Sequence, residues 1–480
     1  MLFNSLEFLL FFPAVVALYF GMPPRFRWVL LLAASYYFYA SWRVEYLSLI
    51  IISTVVDYVA GLGLGAATSR KLRRLWLGLS LTTNLGLLFA FKYYGFFSDS
   101  LAALSGSLGR DVMFPELQIL LPVGISFYTF QTLSYTIDVY NRKRPPERHL
   151  GIFAVYVSFF PQLVAGPIER STSLLPQFRQ VHVLEASRVA TGLRLILWGF
   201  VKKVVIADRL ALYVDVVYDD PSSFGGAALI TASILFAVQI YCDFSGYSDI
   251  AIGTARIMGF DLMTNFRQPY FASSIREFWQ RWHISLSTWF RDYVYIPLGG
   301  SRNGAVLTYA NLLVTFIISG LWHGANWTFV VWGALHGMYL ATSNMTSGIR
   351  RRFVARTHVD AVPGLLPVWR VFATNVLVLF GWIFFRANSL DDAFLIIGRI
   401  AGGPGEGLTA LVAALPGSTH RDLAFVAFMI GTLSAYDYAL SRDWRILGRP
   451  AVVGTTLSLQ FWAVLIFGVF SNQQFIYFQF

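Results

Sequence analysis

The chain has 480 residues, of which 56% are hydrophobic, 17% aromatic and only 13% charged. Soluble globular domains are about 45–50% apolar and about 25% charged, so this composition excludes an ordinary soluble enzyme and indicates an all-α protein that crosses a membrane several times. The formal net charge is +11, but Lys and Arg fall in short clusters between apolar segments, where they indicate membrane orientation and exclude nucleic acid as the expected partner.

Five apolar segments alternate with basic clusters through the N-terminal third of the chain. The predicted spans are residues 2–20, 28–40, 46–64, 75–97 and 117–140. The basic clusters are residues 23–27, 70–74 and 142–148, and residues 98–116 form a predicted outer loop. Positive clusters favour the cytoplasmic side, so this order predicts an N-terminus outside. The first segment lacks a basic start and a cleavage site, so we expect it to be a retained span.

The regular spacing of predicted spans ends at the apolar segment of residues 152–164, which is too short to cross a bilayer. Pro161, Gly166 and Pro167 interrupt the chain at the end of this segment. Residues 160–170 are therefore predicted to form a re-entrant or interfacial element. Such an element must be covered by protein, because lipid cannot hydrogen-bond an exposed backbone.

Two more helices are predicted at residues 193–214 and 227–244, and the second leads to Asp243 and Asp249. Carboxylates in such apolar surroundings require a partner or a proton. Residues 350–352 form a predicted basic loop, and the last predicted spans are residues 371–385, 423–440 and 452–470. By the criterion of about 20 residues per span, the chain has about 10 to 13 membrane helices. No polar block of domain size interrupts them, so residues 1–480 are predicted to form a single membrane-embedded domain.

Residues 265–302 mix charged and aromatic side chains, which predicts an amphipathic helix lying in the membrane interface. One predicted face carries Trp279, Trp282, His283, Leu286, Trp289, Phe290 and Tyr293. Four arginines in this region are candidates for an anion site, namely Arg267, Arg276, Arg281 and Arg291. Guanidinium groups suit the phosphates of a soluble donor and equally those of anionic lipid headgroups, so both interpretations stay open.

His323 lies in a short polar turn between two apolar segments, residues 307–321 and 327–341. Each segment has about 15 residues, fewer than the roughly 20 that cross a bilayer, so the turn is predicted to lie inside the membrane. An ionisable group at that depth is costly, and such groups line substrate or water pathways. The alternative is a histidine that is hydrogen-bonded between packed helices.

The histidines are the best candidates for chemistry, because several other reaction classes lack their motifs. The single cysteine, Cys242, excludes an internal disulfide and a cysteine-rich metal site. Zinc-hydrolase, phosphate-loop and nucleophile-turn motifs do not occur in the sequence, so we expect no metal and no bound cofactor. A neutral imidazole can accept the proton of a hydroxyl that attacks a carbonyl, and His323 fits that role best. His283 either positions a donor or packs among aromatic side chains, and His336 is expected to be structural.

Five motifs together resemble the membrane-bound O-acyltransferases, in the branch of the bacterial alginate O-acetylase membrane subunits. They are PQLVAGPIER at 161–170, YCDFSGYSD at 241–249, FWQRWHIS at 278–285, DYVYIPLGGSR at 292–302 and GLWHG at 320–324. The resemblance covers nearly the whole chain. It implies that His323 is the catalytic residue and His283 a second important histidine, set in a central tunnel that joins a cytoplasmic donor to an extracytoplasmic acceptor.

The same resemblance implies an O-acetyltransferase of the bacterial inner membrane. The expected acetyl donor is acetyl-CoA, the expected acceptor is an extracytoplasmic polysaccharide such as alginate, and the expected partner is a soluble or membrane-anchored extracytoplasmic acetyltransferase. The other expected contact is membrane lipid. Two alternatives stay open: transfer of another acyl group such as D-alanine, and a polytopic transporter or flippase, because broken helices and buried carboxylates would also serve alternating access. The lack of detectable inverted repeats weighs against the transporter.

The sequence FIYFQF at residues 475–480 also resembles the tail of this branch. One hypothesis is that Tyr477 docks near His323 and briefly carries the acetyl group, since a phenol oxygen beside a base can accept an acyl group. The other is that the segment is an aromatic anchor at the membrane interface.

Overall fold

In the computed structural model, every regular element of the described residues is a helix. The structure describes residues 1–110, 112–115, 121–405, 420–442, 444, 449–470 and 475–476. Tyr477 lies outside the described residues. Seven helices in the described part are long and apolar enough to cross a membrane: Val44–Ala66, Arg70–Ser107, Gly226–Ile257, Ala305–His323, Leu365–Arg386, Ala424–Ser441 and Pro450–Phe467. The predicted all-α, multi-pass membrane fold is therefore confirmed.

The predicted count of 10 to 13 membrane helices included segments that form shorter helices. Helix α1 spans Leu6–Gly21 with 16 residues, and helix α2 spans Arg27–Ala40 with 14 residues. A straight helix needs about 20 residues to cross a bilayer, which is why these two stand apart from the seven longer ones.

The chain divides into two compact units. The first contains Met1–Ile196 and Tyr247–Met263, and the second contains Leu197–Gly246 and Thr264–Phe480. The expectation of one domain over residues 1–480 stays a prediction. The remaining helices that begin in the first unit are α3 Leu47–Ala66, α4 Arg70–Leu88, α5 Tyr94–Ser107, α6 Ile125–Tyr140, α7 Leu150–Ser158, α8 Ser171–Gln177 and α9 Ala186–Phe200.

A buried carboxylate ties three helices of the first unit together. Asp57 of α3 is completely buried. It accepts hydrogen bonds from Asn84 Nδ2 of α4 at 2.8 Å, from Thr136 Oγ1 of α6 at 3.1 Å, and from the Ser80 hydroxyl of α4. Because a buried charge is costly unless it is hydrogen-bonded, this network fixes the mutual positions of α3, α4 and α6.

Two segments predicted as loops are helical. The outer loop expected at residues 98–116 is wrong in its first part, because a π-helical turn at Phe89–Tyr93 carries α4 directly into α5, which ends at Ser107. The basic loop expected at residues 350–352 lies inside helix α16, Ser347–Thr357. The helical parts, residues 98–107 and 347–357, contain no proline, and Arg, Ala and Leu all favour helix.

The broken segment after α7 matches the predicted re-entrant element. Helix α7 ends at Ser158 after only nine residues, and irregular backbone follows up to α8. The side chains from Phe159 to Glu169 are buried throughout, as protein-covered irregular backbone requires.

The second unit holds the remaining helices. They are α10 Asp208–Asp219, α11 Gly226–Ile257, α12 Ile275–Arg281, α13 Ile284–Phe290, α14 Ala305–His323, α15 Trp327–Met345, α16, α17 Leu365–Arg386, α18 Leu390–Ala401, α19 His420–Ser441 and α20 Pro450–Phe467. A π-helical segment at Val201–Ala207 precedes α10, and another at Arg291–Tyr295 follows α13. The end of α11 belongs to the first unit.

Helices α14 and α15 form a closely packed antiparallel hairpin. A Cβ atom added at Gly320 would lie 2.1 Å from the carbonyl oxygen of Phe329, and one added at Gly333 would lie 2.2 Å from that of Phe316. Both distances are shorter than any real contact, so the two backbones approach as closely as only glycine allows. This pairing fixes the end of α14, where His323 lies.

The two arms of this hairpin are longer than their apolar segments suggested. Helices α14 and α15 have 19 residues each, and α14 is among the candidate membrane spans. The prediction that the turn lies inside the membrane rested on arms of about 15 residues, and that argument is wrong. The added residues are Ala305, Val306, Trp322 and His323 in α14 and residues 342–345 in α15. His323 therefore stands at the end of a candidate span.

We expect Gly333→Ala to destabilise the second unit by about 1–3 kcal/mol, because its methyl group would meet a backbone carbonyl that cannot move aside. The control is Gly78→Ala on α4, whose Cβ would enter open space. The measurement is the thermal unfolding midpoint of the detergent-solubilised protein. Equal midpoints for Gly333→Ala and the wild type would contradict the close pairing.

Candidate functional site

His323 is the last residue of α14, and its imidazole is almost fully buried at 3% exposure. Three aromatic rings surround it edge-on. The centroids of Trp322 and Trp332 lie 5.0 Å from that of the imidazole, and the centroid of Phe385 lies at 5.2 Å. The rings come from α14, α15 and α17, so three helices define the position of His323.

The turn after His323 is fixed by its polar residues. Asn326 caps α15 by accepting a hydrogen bond from the Thr328 backbone N–H at 3.0 Å, and its Nδ2 donates to the carbonyl oxygen of Asn388 at 3.1 Å. At Gly324, a Cβ atom would lie 2.1 Å from the ring of Phe329. The turn therefore has one tightly packed arrangement, which holds His323 at the end of its helix.

The predicted single interfacial helix around His283 is wrong. The segment forms two short helices, α12 and α13, which break at Trp282 and His283. His283 adopts a left-handed backbone conformation, with φ +41° and ψ +56°. The aromatic residues do recur at helical spacing in the sequence. The positive φ of His283 nevertheless ends α12 before it, and α13 begins after it in a new direction.

A hydrogen-bond network assigns the tautomer of His283. The backbone N–H of Ser285 donates to the side-chain Oδ1 of Asn265 at 3.2 Å, so this atom is the acceptor oxygen of the amide. The hydroxyl of Ser285 donates to the same oxygen at 2.9 Å. His283 Nδ1 lies 3.1 Å from it and must therefore carry the proton. A neutral ring in this tautomer has its lone pair on Nε2, which makes Nε2 the basic atom.

Burial keeps the His283 ring neutral. Its side chain is completely buried, in a segment outside the seven candidate spans. Desolvation disfavours the charged imidazolium and holds the pKa of His283 well below its ordinary value of about 6.5.

The structure brings His283 and His323 to the same tryptophan. The centroid of Trp322 lies 5.0 Å from that of His323 and 6.0 Å from that of His283. His336 belongs to the same group of rings, because its centroid lies 5.0 Å from Trp332, which also contacts His323. The indole N–H of Trp279 donates to Nδ1 of His336 at 3.3 Å. The three histidines thus share one aromatic wall, and the contacts of His336 fit its predicted structural role.

The four candidate arginines lie near these helices, but three of them already have polar partners. Arg281 Nη2 lies 2.5 Å from Glu277 Oε1, and Arg291 Nε lies 2.8 Å from Asp292 Oδ1. Arg276 donates to Asn344 Oδ1 at 2.9 Å. Arg267 is exposed. These contacts leave the choice between donor phosphate and lipid phosphate open.

Asp243 has the partner that its apolar surroundings required. Lys203 Nζ lies 2.6 Å from Asp243 Oδ1 and 2.8 Å from Asp208 Oδ1, and all three side chains are buried. The next residue, Phe244, contacts the His283 ring edge-on at a centroid distance of 4.5 Å. An ion-paired cluster therefore lies directly behind the histidine site. Asp249, in contrast, is only half-buried and belongs to the first unit.

Sequence reasoning missed Lys203 and Asn265, although each has a recognisable signal. Lys202 and Lys203 interrupt an otherwise apolar helical segment, and such buried lysines need carboxylate partners. Asn265 gives no local signal, because its partners His283 and Ser285 lie far along the chain. Among the described residues, no three His, Cys, Asp or Glu side chains cluster as metal ligands would.

A family model described as MBOAT, membrane-bound O-acyltransferase family, matches residues 149–385. The chain is 47% identical over 399 residues to a probable alginate O-acetylase of Azotobacter vinelandii, an alignment that covers 82% of this chain and 77% of the relative.

The chain is also similar to relatives that act on other polymers by name. The chain is 36% identical over 414 residues to a peptidoglycan O-acetyltransferase of Helicobacter pylori, with 81% of this chain and 76% of the relative covered. It is 26% identical over 241 residues to a teichoic acid D-alanyltransferase of Bacillus subtilis, with coverages of 48% and 60%.

The buried, neutral state of His283 predicts a pH-dependent stability. Below about pH 6.5, His283 binds a proton in the unfolded chain but stays neutral in the folded chain. The free energy of unfolding therefore falls as the pH falls through this value. Between about pH 8 and about pH 5, the thermal unfolding midpoint should fall less in His283→Asn than in the wild type. Asn tolerates the left-handed conformation but does not titrate.

His358→Asn is the matched control, because His358 is exposed and also has positive φ, +48°. It should keep the pH dependence of the wild type. If the unfolding midpoint changed equally with pH in the wild type and both variants, His283 would not be the buried neutral group described.

Proposed function

The chain belongs to the membrane-bound O-acyltransferase family and is an acyltransferase, and we propose that it moves acetyl groups from a cytoplasmic thioester, acetyl-CoA, towards the hydroxyl groups of an extracytoplasmic polysaccharide. The observation that carries this proposal is the meeting of two buried histidines, His283 and His323, at the indole of Trp322. It supports a common site for two residues that are far apart in sequence. The proposed location is the bacterial inner membrane, with thioester on one side and polymer on the other.

In the proposed reaction His323 is the general base. Its imidazole accepts the proton of the acceptor hydroxyl while the hydroxyl oxygen forms a bond to the carbonyl carbon of the thioester. The carbon–sulfur bond then breaks, and the leaving thiolate takes the proton back from the imidazolium. The aromatic rings of Trp322, Trp332 and Phe385 support this role, because they exclude water and hold the ring in one orientation. The tunnel that would deliver donor and acceptor remains part of this proposal.

His283 is the second proposed site residue. The hydrogen bond to Asn265 places the ring proton on Nδ1, so Nε2 is the atom that would accept a hydrogen bond from a substrate group. Because the ring is buried and neutral, it can position a polar substrate group without carrying a competing charge. The proposal therefore gives His323 the proton transfer and His283 the positioning.

A basic cleft in the second unit supports the proposed contact with membrane lipid. Its volume is about 1740 Å³, and its walls include the apolar side chains of Leu377 and Trp369 together with Arg350, Arg351 and Arg370. Trp369 is 58% exposed. A tryptophan beside guanidinium groups at the end of a candidate span suits an anionic phospholipid, whose phosphate and acyl chain match the two parts of the wall.

The proposed partner is an extracytoplasmic acetyltransferase, either soluble or membrane-anchored, that delivers the acetyl group to the polymer. The proposed acceptor follows from the names of two relatives, alginate O-acetylase and peptidoglycan O-acetyltransferase. The match to a teichoic acid D-alanyltransferase keeps D-alanine as the second candidate acyl group.

We expect His323→Ala to lower polymer O-acetylation in intact cells by about 10²-fold or more, because a general base contributes about 10²–10⁴-fold. The measurement is the acetyl content of the isolated polymer at equal membrane levels of the protein. The exposed His358 supplies the control, and His358→Ala should keep full acetylation. Unchanged acetylation in the His323 variant would overturn the assignment of the base.

Labelled donors separate the remaining candidate functions. Purified protein in phospholipid vesicles, supplied with an alginate oligosaccharide as the hydroxyl acceptor, should release free thiol from acetyl-CoA labelled in its acetyl group and transfer the label to the oligosaccharide, and should leave a D-alanyl thioester carrier intact. Consumption of the D-alanyl donor alone would favour the second acyl group. Movement of label across the vesicle membrane without thioester cleavage would favour a transporter.

A further inference from the structure

The C-terminal residues that the structure describes lie against the ion-paired cluster behind His283. The backbone N–H of Ile476 donates a hydrogen bond to Asp243 Oδ2 at 2.7 Å. The ring of the preceding residue, Phe475, packs on Phe244 at a centroid distance of 5.6 Å. Both residues are buried, with exposures of 1% for Phe475 and 3% for Ile476. These two residues, the C-terminal contact segment, therefore occupy an interior position.

The two carboxylate oxygens of Asp243 have different partners. Oδ1 faces the ammonium group of Lys203, and Oδ2 faces the backbone N–H of Ile476. Lys203 also pairs with Asp208, so one buried cation serves two buried carboxylates. The cluster has an excess of one formal negative charge if all three groups are ionised. The backbone N–H of Ile476 at Oδ2 offsets part of that negative charge. The Asp243 carboxylate therefore favours the docked position of the C-terminal contact segment.

The same contacts connect the C-terminal contact segment with the histidine site. Asp243 and Phe244 are neighbours on α11, and Phe244 contacts both Phe475 and His283. The ring of Phe244 is completely buried between them. Docking of the segment therefore holds Phe244 in place, and Phe244 in turn forms one wall of the His283 pocket.

We propose that Asp243 is a positioning residue for acyl transfer, which holds the C-terminal contact segment on Phe244 and thereby keeps His283 in its productive orientation. This proposal rests on the proposed function. Lys203 and Asp208 have a supporting role, since they fix the orientation of the Asp243 carboxylate. Release of the segment would free one face of Phe244, and His283 would lose a wall although its bond to Asn265 remained.

The decisive variant is Ile476→Pro, because proline lacks the backbone N–H and leaves the Lys203–Asp208–Asp243 cluster intact. Ile476→Val is the matched control, since it keeps the N–H and most of the side chain. Asp243→Ala removes the acceptor and leaves Lys203 and Asp208 as a neutral pair, which avoids an unpaired buried charge.

Hydrogen exchange of the C-terminal peptide measures docking independently of activity. In the intact protein, the amide of Ile476 should exchange slowly. Asp243→Ala should raise its exchange rate by about tenfold or more, because the acceptor of its hydrogen bond is gone. If the Ile476 amide exchanged at the wild-type rate in Asp243→Ala, Asp243 would not hold the C-terminal contact segment, independently of any effect on transfer activity.

The rate of acetyl transfer from acetyl-CoA to an alginate oligosaccharide, measured with the protein in vesicles, tests the positioning. Asp243→Ala and Ile476→Pro should each lower kcat by about tenfold or more with KM for acetyl-CoA within about twofold, and Ile476→Val should retain kcat within about twofold. The double variant Asp243→Ala/Ile476→Pro should be no slower than either single variant, because both remove the same hydrogen bond. A wild-type kcat in Ile476→Pro, or additive losses in the double variant, would overturn the proposal.

These two measurements separate the proposal from the function on which it depends. If the wild type transfers no acetyl group but Asp243→Ala still speeds exchange of the Ile476 amide, the proposed function fails and the docking of the C-terminal contact segment on Asp243 is supported. If the wild type is active and Asp243→Ala leaves this exchange unchanged, only the proposed docking fails.

Discussion

A polar group that is buried in an apolar helical protein must find its hydrogen-bond partner within the same fold, and this requirement governs both units of the structure. In the first unit it places Ser80, Asn84 and Thr136 around the carboxylate of Asp57. In the second it places Lys203 between two aspartates. Solvent is not available to satisfy these groups when the helices are surrounded by lipid, so each network defines one arrangement of its helices. Apolar packing alone would tolerate small shifts of helices that such networks do not.

The histidine site combines this requirement with close aromatic packing. Asn265 fixes the protonation of His283 through one oxygen that three donors share, and the indole of Trp322 contacts the rings of both His283 and His323. Glycines in the α14–α15 hairpin allow the backbones to approach, so the ring of His323 is held by three helices instead of a flexible loop. The base role proposed for His323 needs a dry, rigid setting, and these contacts supply that setting from ordinary side chains.

How much the sequence could predict depends on the distance between interacting residues. Composition and hydropathy correctly predicted an all-α membrane protein, and two continuous apolar segments located the helices on both sides of the His323 turn. The need of Asp243 for a partner could also be predicted, because an unpaired buried carboxylate is unstable. Its actual partners, Lys203, Asp208 and the amide of Ile476, could not be predicted, since they come together only when distant segments fold. The break between α12 and α13 was missed for the same reason: Asn265, eighteen positions earlier, stabilises a conformation of His283 that no local pattern encodes.

The left-handed backbone of His283 affects how a mutational survey of this position should be interpreted. Side chains branched at Cβ are sterically excluded from that region, whereas Asn, Asp and Gly enter it readily. Loss of activity in a Val or Ile variant would therefore report a misfolded turn and give no information about proton chemistry. Only the few residue types that share the backbone preference of histidine allow the role of its ring to be compared on an unchanged main chain.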